Sequence, residues 1–240
     1  MKIAVLGSKG LIGSDLVYYL SAVGNAVGIN RDNYEDMRDQ KYDIFINANG
    51  NSKKFIAERL PLFDFEASVE SVYKTIYDFN FDKYIFVSSV DVLYPDSTTY
   101  GFHKKMAEMI IQRHIDNYIL IRPVSVVGRN LKKGVVFDIL NANTLNIAPT
   151  SKLGFISTKG IADFIMKVLE LDISGAFVTG SVDTITPLDI ANILNKKLDI
   201  DIKDGAPVQK YDYTELLPEF FKFKTAEEYI LEGIANEGME

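Results

Sequence analysis

The sequence predicts an α/β protein built on a parallel sheet wound with helices on both faces. Three observations predict it. Apolar strand segments alternate with helical segments from the first residues onward. Those strands read as continuous apolar runs, the pattern of strands covered on two faces, and not as alternating apolar and polar positions. A glycine-rich turn, Gly7 to Gly13, joins the first strand directly to the first helix.

Each element has its own warrant. Residues 2–6 (KIAVL) are a buried strand, and 11–22 are a helix whose apolar face carries Ile12, Leu16 and Leu20 at four-residue spacing. Residues 25–30 and 42–48 (YDIFINA) are the second and third strands, with 65–79 helical after them. The run 83–88 (KYIFVS) is a fourth strand, 100–114 a helix and 118–122 (YILIR) a further strand. A helix over 158–171 and a short strand over 176–179 follow. Thr186 and Pro187 are a good N-cap and first-turn pair for a helix reaching Leu198. The acidic stretch 32–39 reads as a solvated loop. From about Asp204 the strand-helix rhythm fades, and the aromatic cluster Tyr211, Tyr213, Phe220, Phe221 and Phe223 reads as tail packing, with a substrate lid or subunit contact as the alternative.

The chain has 240 residues, 47% hydrophobic and 25% charged, which suits one folded domain without disulfide or metal staples. There is no repeat, low-complexity segment or composition break. Cysteine is absent, which removes disulfides, thiolate catalysis and thiolate-ligated zinc. His103 and His114 are the only histidines and lack any metal-ligand pattern, and no G-x-S-x-G hydrolase elbow is present. His103 is expected to face solvent, with lining the cleft beside Tyr100 as the alternative. The net charge of −7 and pI near 5.0 argue against non-specific nucleic-acid binding, which rests on neutralising phosphates. No apolar run is long enough to span a bilayer, and the first residues lack a signal-peptide pattern, so a cytoplasmic protein is expected.

The turn Gly7-Ser8-Lys9-Gly10-Leu11-Ile12-Gly13 has the context a dinucleotide needs. A helix N-terminus offers unpaired N–H groups and positive dipole, and glycine lets the backbone approach a diphosphate without a Cβ clash. The end of the second strand discriminates the ribose. Arg31 is placed to meet the 2′-phosphate of NADP, so NADP is favoured. NAD stays open, with Asn30 or Asp32 serving its 2′-hydroxyl and Arg31 an exposed loop charge.

Tyr100 and Lys104 form a Tyr-x-x-x-Lys pair on one helix face. A tyrosine of ordinary pKa near 10 is too weak an acid to serve as base at neutral pH, and a neighbouring ammonium favours its phenolate. Tyr100 can then exchange a proton with a carbinol or carbonyl while hydride moves at carbon. Ser88 and Ser89 end the fourth strand, at the edge where such sheets hold ligands, and offer a hydroxyl to orient the reacting oxygen.

Taken in order, GSKGLIG (7–13), FINANG (45–50), YIFVSS (84–89), YGFHK (100–104) and LIRPVSVVG (120–128) resemble the extended short-chain dehydrogenase/reductase superfamily, in its nucleotide-sugar epimerase, dehydratase and reductase branch. FISTKGIADFI (155–165) and FVTGSVDTITPLDIANIL (177–194) add to the resemblance, which covers about four-fifths of the chain. It implies a Rossmann-like single domain over 1–240, with substrate-lobe segments over roughly 129–155 and 180–240. It implies proton transfer by Tyr100, and a Lys104 that holds the nicotinamide ribose and lowers the phenol's pKa. Asn47, Ala48 and Asn49 match the loop beside the adenosine and its ribose, and Pro123 to Val126 the loop at the nicotinamide amide. Ser89 matches the family's catalytic alcohol if Val92 aligns with the valine that follows it. Aligning Leu93 instead puts Val90 there. Ser89 is preferred because the chemistry needs an alcohol.

The departures narrow the reaction. Only 11 positions separate Ser89 from Tyr100, which shortens the loop that shapes the sugar site. The Asp-Glu pair of dehydratases is missing after Ser89, and the helix position usually held by an active-site Asn is Ser68. Asp91 either aids proton transfer or caps the next turn. Arg129, Lys132 and Lys133 either grip a substrate diphosphate or lie in a solvated loop. The resemblance therefore implies an NAD(P)-dependent keto-sugar reductase or epimerase with a nucleotide-sugar substrate, no nucleic-acid or membrane partner, and a homodimer. A catalytically weak dinucleotide-binding sensor is the alternative.

Overall fold

The computed structural model describes residues 1–51, 53–94, 96, 98–196 and 201–235. In chain order its main elements are β1 (Lys2–Leu6), α1 (Leu11–Leu20), β2 (Asn25–Ile29), β3 (Lys41–Asn47), α2 (Lys54–Arg59), α3 (Pro61–Phe65), a π-helical turn (Glu66–Glu70) and α4 (Ser71–Asp78). Then come β4 (Asn80–Val87), a 3-10 turn (Val90–Leu93), α5 (Thr99–His114), β5 (Tyr118–Pro123), β6 (Ser125–Val127) and α6 (Val135–Leu140). The last are β7 (Phe155–Ser157), α7 (Thr158–Glu170), β8 (Gly175–Thr179), α8 (Pro187–Ile193) and α9 (Ala226–Ala235). They form two compact units, one of Met1–Pro123 with Ala162–Val178, the other of Val124–Ile161 with Thr179–Glu240.

The first unit carries a six-stranded sheet in the order β2-β1-β3-β4-β5-β8. The four pairings from β2 through β5 are parallel. The winding reverses between β1 and β3, the kind of switch point at which open α/β sheets hold ligands. Register then decides what meets there. Leu6 is level with Ile29 and Asn47, Asn47 with Phe86, and Val87 with Ile121, so the strands finish along one edge. Ile3, Val5, Phe45, Ile46, Ile85, Phe86 and Ile119–Ile121 are wholly buried, as their unbroken apolar sequence requires.

One buried polar chain stands inside this core. Asn47 Nδ2 donates to the Tyr84 hydroxyl at 2.9 Å, which lies 2.7 Å from Thr75 Oγ1, and Thr75 in turn donates to the Val72 carbonyl at 2.8 Å. Burial pushes the Tyr84 phenol up to about 12. Asn47 Oδ1 accepts from the Asn49 N–H at 3.0 Å, so the network fixes the bend that follows β3.

The second unit holds the short parallel pair β6–β7 with α6, α8 and α9. Its centre is Tyr213, wholly buried, whose hydroxyl donates to the carbonyls of Ser181 at 2.9 Å and Asp183 at 3.2 Å. A Cβ on Gly154 would lie 1.8 Å from that hydroxyl, so glycine is required there. Tyr213 and Phe223 are buried and Tyr211, Phe220 and Phe221 partly so, which is the tail packing expected of the aromatic cluster.

Several sequence expectations are corrected. The single helix over 65–79 is preceded by α2 and α3 and opens on the π-helical turn. Pro61 starts α3 because its ring suits a first helical turn. The 32–39 loop contains a 3-10 turn, and Arg38 there bonds Glu35 and Asp78. Thr186 does cap α8, reciprocally with Asp189, but the helix ends at Ile193, and Leu198 lies outside the described residues. The tail regains order in α9, headed by Thr225 and Glu228, which bond each other's N–H groups. That T-x-x-E spacing is a capping-box signal visible in the sequence.

Removing the Tyr84 hydroxyl takes the shorter of its two side-chain bonds from Asn47 Nδ2 and one partner from Thr75 in the core. Tyr84→Phe is expected to cost about 1–3 kcal/mol in urea unfolding, with the far-UV spectrum unchanged.

Candidate active site

The site is built first from backbone. Gly7 has φ of +85°, and a Cβ on it would lie 2.9 Å from the Ala48 carbonyl oxygen. A Cβ on Gly13 would fall 2.2 Å from the Gly7 carbonyl oxygen. The Gly7 and Ser8 N–H groups are spent on the Ile29 carbonyl, and the Gly10 N–H on Gly7. Gly10 is the N-cap of α1 and provides no side-chain cap, so the first-turn N–H groups of Leu11, Ile12 and Gly13 meet none. This is a cradle of bare backbone at a helix N-terminus, fit for a diphosphate. Ser8 Oγ donates to the Ile29 carbonyl and serves the turn itself.

At the end of β2 the Asn30 side chain accepts from the Asp32 N–H at 2.9 Å. Lys9 forms an ion pair with Asp32, both exposed, linking the glycine turn to this loop. Arg31 is exposed and has no side-chain partner among the described residues. Asn49 Nδ2 donates to Ser71 Oγ at 2.9 Å, so the bend of Asn47, Ala48 and Asn49 is held from both sides.

The Tyr-Lys pair lies on α5. Thr98 caps the helix, its Oγ1 accepting from the Gly101 N–H at 3.0 Å. A Cβ on Gly101 would lie 2.7 Å from the Asp91 carbonyl oxygen, so only glycine lets the 3-10 turn after Ser89 lie against the first turn of α5. Tyr100 and Lys104 are both buried. The Lys104 ammonium, 3% exposed as a residue, donates to the Val87 carbonyl at 3.2 Å and lies 4.6 Å from the centre of the Phe86 ring. It also abuts Gly50, where a Cβ would come within 3.2 Å of Nζ. Burial pulls the Lys104 ammonium down to about 8, against the raising fields of Asp64 and Glu108.

Ser89 caps the 3-10 turn. Its Oγ donates to Asp91 Oδ2 at 2.6 Å, and the Asp91 N–H donates back to it at 3.3 Å. The cap is Ser89 and not Asp91: the buried Asp91 carboxylate accepts from Ser89 Oγ and also from Lys54 Nζ at 2.9 and 2.6 Å. Ser88 Oγ and Ser68 Oγ are buried without a hydrogen-bond partner. The glycine cradle and these orphaned hydroxyls fit a nicotinamide dinucleotide.

The first unit therefore brings Gly7 to Gly13, Asn30, Arg31, Asn47 to Asn49, Ser88 and Ser89 to the carboxyl ends of its strands, with Pro123 closing β5. Val126 belongs to the second unit, in β6 opposite Ile156. His103 is a correction: it is buried, its Nδ1 2.7 Å from Asp64 Oδ2, with its ring edge-on to Phe65. Asn51 Nδ2 donates to the other Asp64 oxygen at 2.8 Å. Sequence reading had placed no helix at 61–65, so the partner that covers His103 was not visible. Lys54 was missed for the same reason, since α2 has six residues and its N-cap, Lys53, makes no capping bond.

No family model matches the chain, and no curated protein matches it in sequence. Solved structures do. A UDP-galactose 4-epimerase superposes with a TM-score of 0.75 at 20% identity, over 99% of this chain and 98% of the other. A dTDP-4-dehydrorhamnose reductase from Bacillus anthracis, in complex with NADP, gives 0.78 at 12% identity over 97% and 96%. A UDP-glucuronic acid 4-epimerase from Bacillus cereus, bound to NAD and a fluorinated sugar nucleotide, gives 0.77 at 14% identity over 99% of each chain. The chain has the Rossmann-like fold of these structures.

Between pH 8 and 10.5 the unfolded chain holds the Lys104 proton more tightly than the folded one, so this group's contribution to stability rises with pH across that window and is lowest below it. Lys104→Met is expected to be more stable than the parent at pH 7 by about 1–3 kcal/mol. The difference should shrink as urea unfolding is repeated from pH 8 to 10.5.

Proposed function

We propose that the protein is an NAD(P)-dependent oxidoreductase that reduces or epimerises a nucleotide-linked sugar, with NADP the favoured dinucleotide. One observation carries the reading: a buried tyrosine and a buried lysine one helical turn apart, the lysine bonded to the end of β4, on the sheet whose strand ends also bear the bare glycine cradle. The fold shared with sugar-nucleotide epimerases and reductases supports the substrate class.

A nicotinamide bound at this edge supplies hydride transfer to or from carbon. The chain supplies the rest. The turn 7–13 holds the diphosphate by backbone N–H groups. Tyr100 gives a proton to the substrate oxygen in reduction and takes one in oxidation, and a 4-epimerase uses both directions in turn. Lys104 holds positive charge beside the strand end, favouring the phenolate and binding ribose hydroxyls. Ser89, whose own proton is committed to Asp91, presents its remaining lone pair to a substrate hydroxyl. Arg31 meets a 2′-phosphate; Lys9, paired with Asp32, partly offsets the carboxylate that would repel it.

Tyr100→Phe is expected to keep dinucleotide affinity within about twofold and lose about 10²–10⁴-fold in turnover. Nucleotide-sugars should be screened with and without added reduced cofactor: product that appears only with it marks a reductase, and interconversion without it an epimerase. Retained turnover would remove Tyr100 from the mechanism. Arg31→Ala should weaken NADPH more than NADH by fluorescence titration, and equal losses would leave NADP without support.

A further inference from the structure

Lys54, on the short helix α2, reaches over the ring of Tyr100. Its ammonium is 5.9 Å from the centre of the Tyr100 ring and bonds both oxygens of Asp91. The Lys54 side chain is 42% exposed, whereas that of Asp91 is 4% exposed. A solvent-reaching cation is thus pinned by a buried anion, and the same anion holds the hydroxyl of Ser89 at 2.6 Å. The arrangement is a Ser89-Asp91-Lys54 chain laid along the mouth of Tyr100, and Gly101 lets the backbone of its middle member touch α5.

Other charged and titratable groups lie on α5 and on the elements packed against it. On α5 itself these are Lys104 and His103. On α2 they are Lys54 and Glu58, the latter accepting from the Thr99 N–H and hydroxyl, and on the 3-10 turn there is Asp91. On α3 there is Asp64, which is committed to His103 and Asn51. Glu58 is bonded to Thr99, at the helix start, and Arg59 lies over the Phe55 ring, which leaves Lys54 as the α2 cation over Tyr100.

We infer that Lys54 is a positioning residue for proton transfer at Tyr100: fixed by Asp91, it is a second cation over the phenol and complements Lys104, while the same carboxylate aims the Ser89 hydroxyl. This rests on the reading of Tyr100 as the proton-transfer group. It adds that two ammonium groups, on different helices, set the charge of that phenol. An opposite charge within about 4–6 Å favours an ionised form, by about 1–3 pKa units when buried and less at a partly exposed site.

The test reads the phenol directly. The full chain is labelled with 3-fluorotyrosine, and the Tyr100 fluorine resonance is identified by its loss in Tyr100→Phe. Its titration midpoint is then compared in the parent, Lys54→Met, Lys54→Arg and Lys104→Met. Lys54→Met is expected to raise the midpoint by about half a unit or more, because a cation is lost and Asp91 is left uncompensated. Lys54→Arg, which keeps the cation, is expected to stay with the parent, and Lys104→Met, which removes a group already neutral when a phenol of ordinary pKa ionises, to move the midpoint less than Lys54→Met. A midpoint unmoved in Lys54→Met, or moved equally by Lys54→Arg, overturns the inference. Should Lys54→Met fail to fold, Lys54→Gln keeps an amide hydrogen bond to Asp91 and removes the cation alone. The midpoint should again rise, since the ammonium was the group over the ring, and an unmoved midpoint again overturns the inference. Turnover of Tyr100→Phe is scored separately. If it survives, the proton-transfer reading fails while the titration still reports whether Lys54 acts on the phenol.

Discussion

The contact on which the site depends is backbone against backbone: the Gly7 peptide lying against the Ala48–Asn49 peptide at the reversal between β1 and β3. No side chain fits there. The contact requires a left-handed glycine, an adjacent Gly13 with no Cβ, and a bend after β3 held in place by Asn47. The buried Asn47-Tyr84-Thr75 chain beneath it is what a sheet core tolerates only when every member is satisfied. The polar network therefore serves geometry: it fixes the bend against which the glycine turn closes.

A second constraint is the burial of Lys104. An ammonium placed among Phe86, Val87 and Gly50 is disfavoured as a charge, which is why its pKa falls. Nothing in packing alone calls for it. The same strand end carries the unsatisfied hydroxyl of Ser88, so a buried ammonium and an orphaned hydroxyl meet where packing alone requires neither.

The helices α2 and α3 turn a Tyr-Lys motif into an electrostatic environment. α3 brings Asp64 to His103 and into the field of Lys104, and α2 brings Lys54 to Asp91 and Tyr100. The π-helical turn directly after α3 carries Ser68, whose buried hydroxyl has no partner. Extra-residue turns of this kind inside helices are often found at functional sites. Gly101 is part of the same design, since the Asp91 carbonyl occupies the space its Cβ would take.

The sequence alone determined the sheet, its parallel sense, the glycine cradle and the Tyr100–Lys104 pair. These are local or periodic signals: unbroken apolar runs, glycines at a strand-helix junction, and residues one helical turn apart. Thr186 was legible as a cap for the same reason, and the Thr225–Glu228 pair carried an equally local signal that was passed over. Only the tertiary structure decided that His103 is buried against Asp64, that Asp91 joins Ser89 to Lys54, and that Tyr213 fills the space left by Gly154. The His103–Asp64, Asp91–Lys54 and Tyr213–Gly154 pairings join residues far apart in sequence, and Asp64 and Lys54 sit on helices of five and six residues, too short to leave a periodic trace. A charged side chain in such a segment reads as a solvated loop until packing supplies its partner.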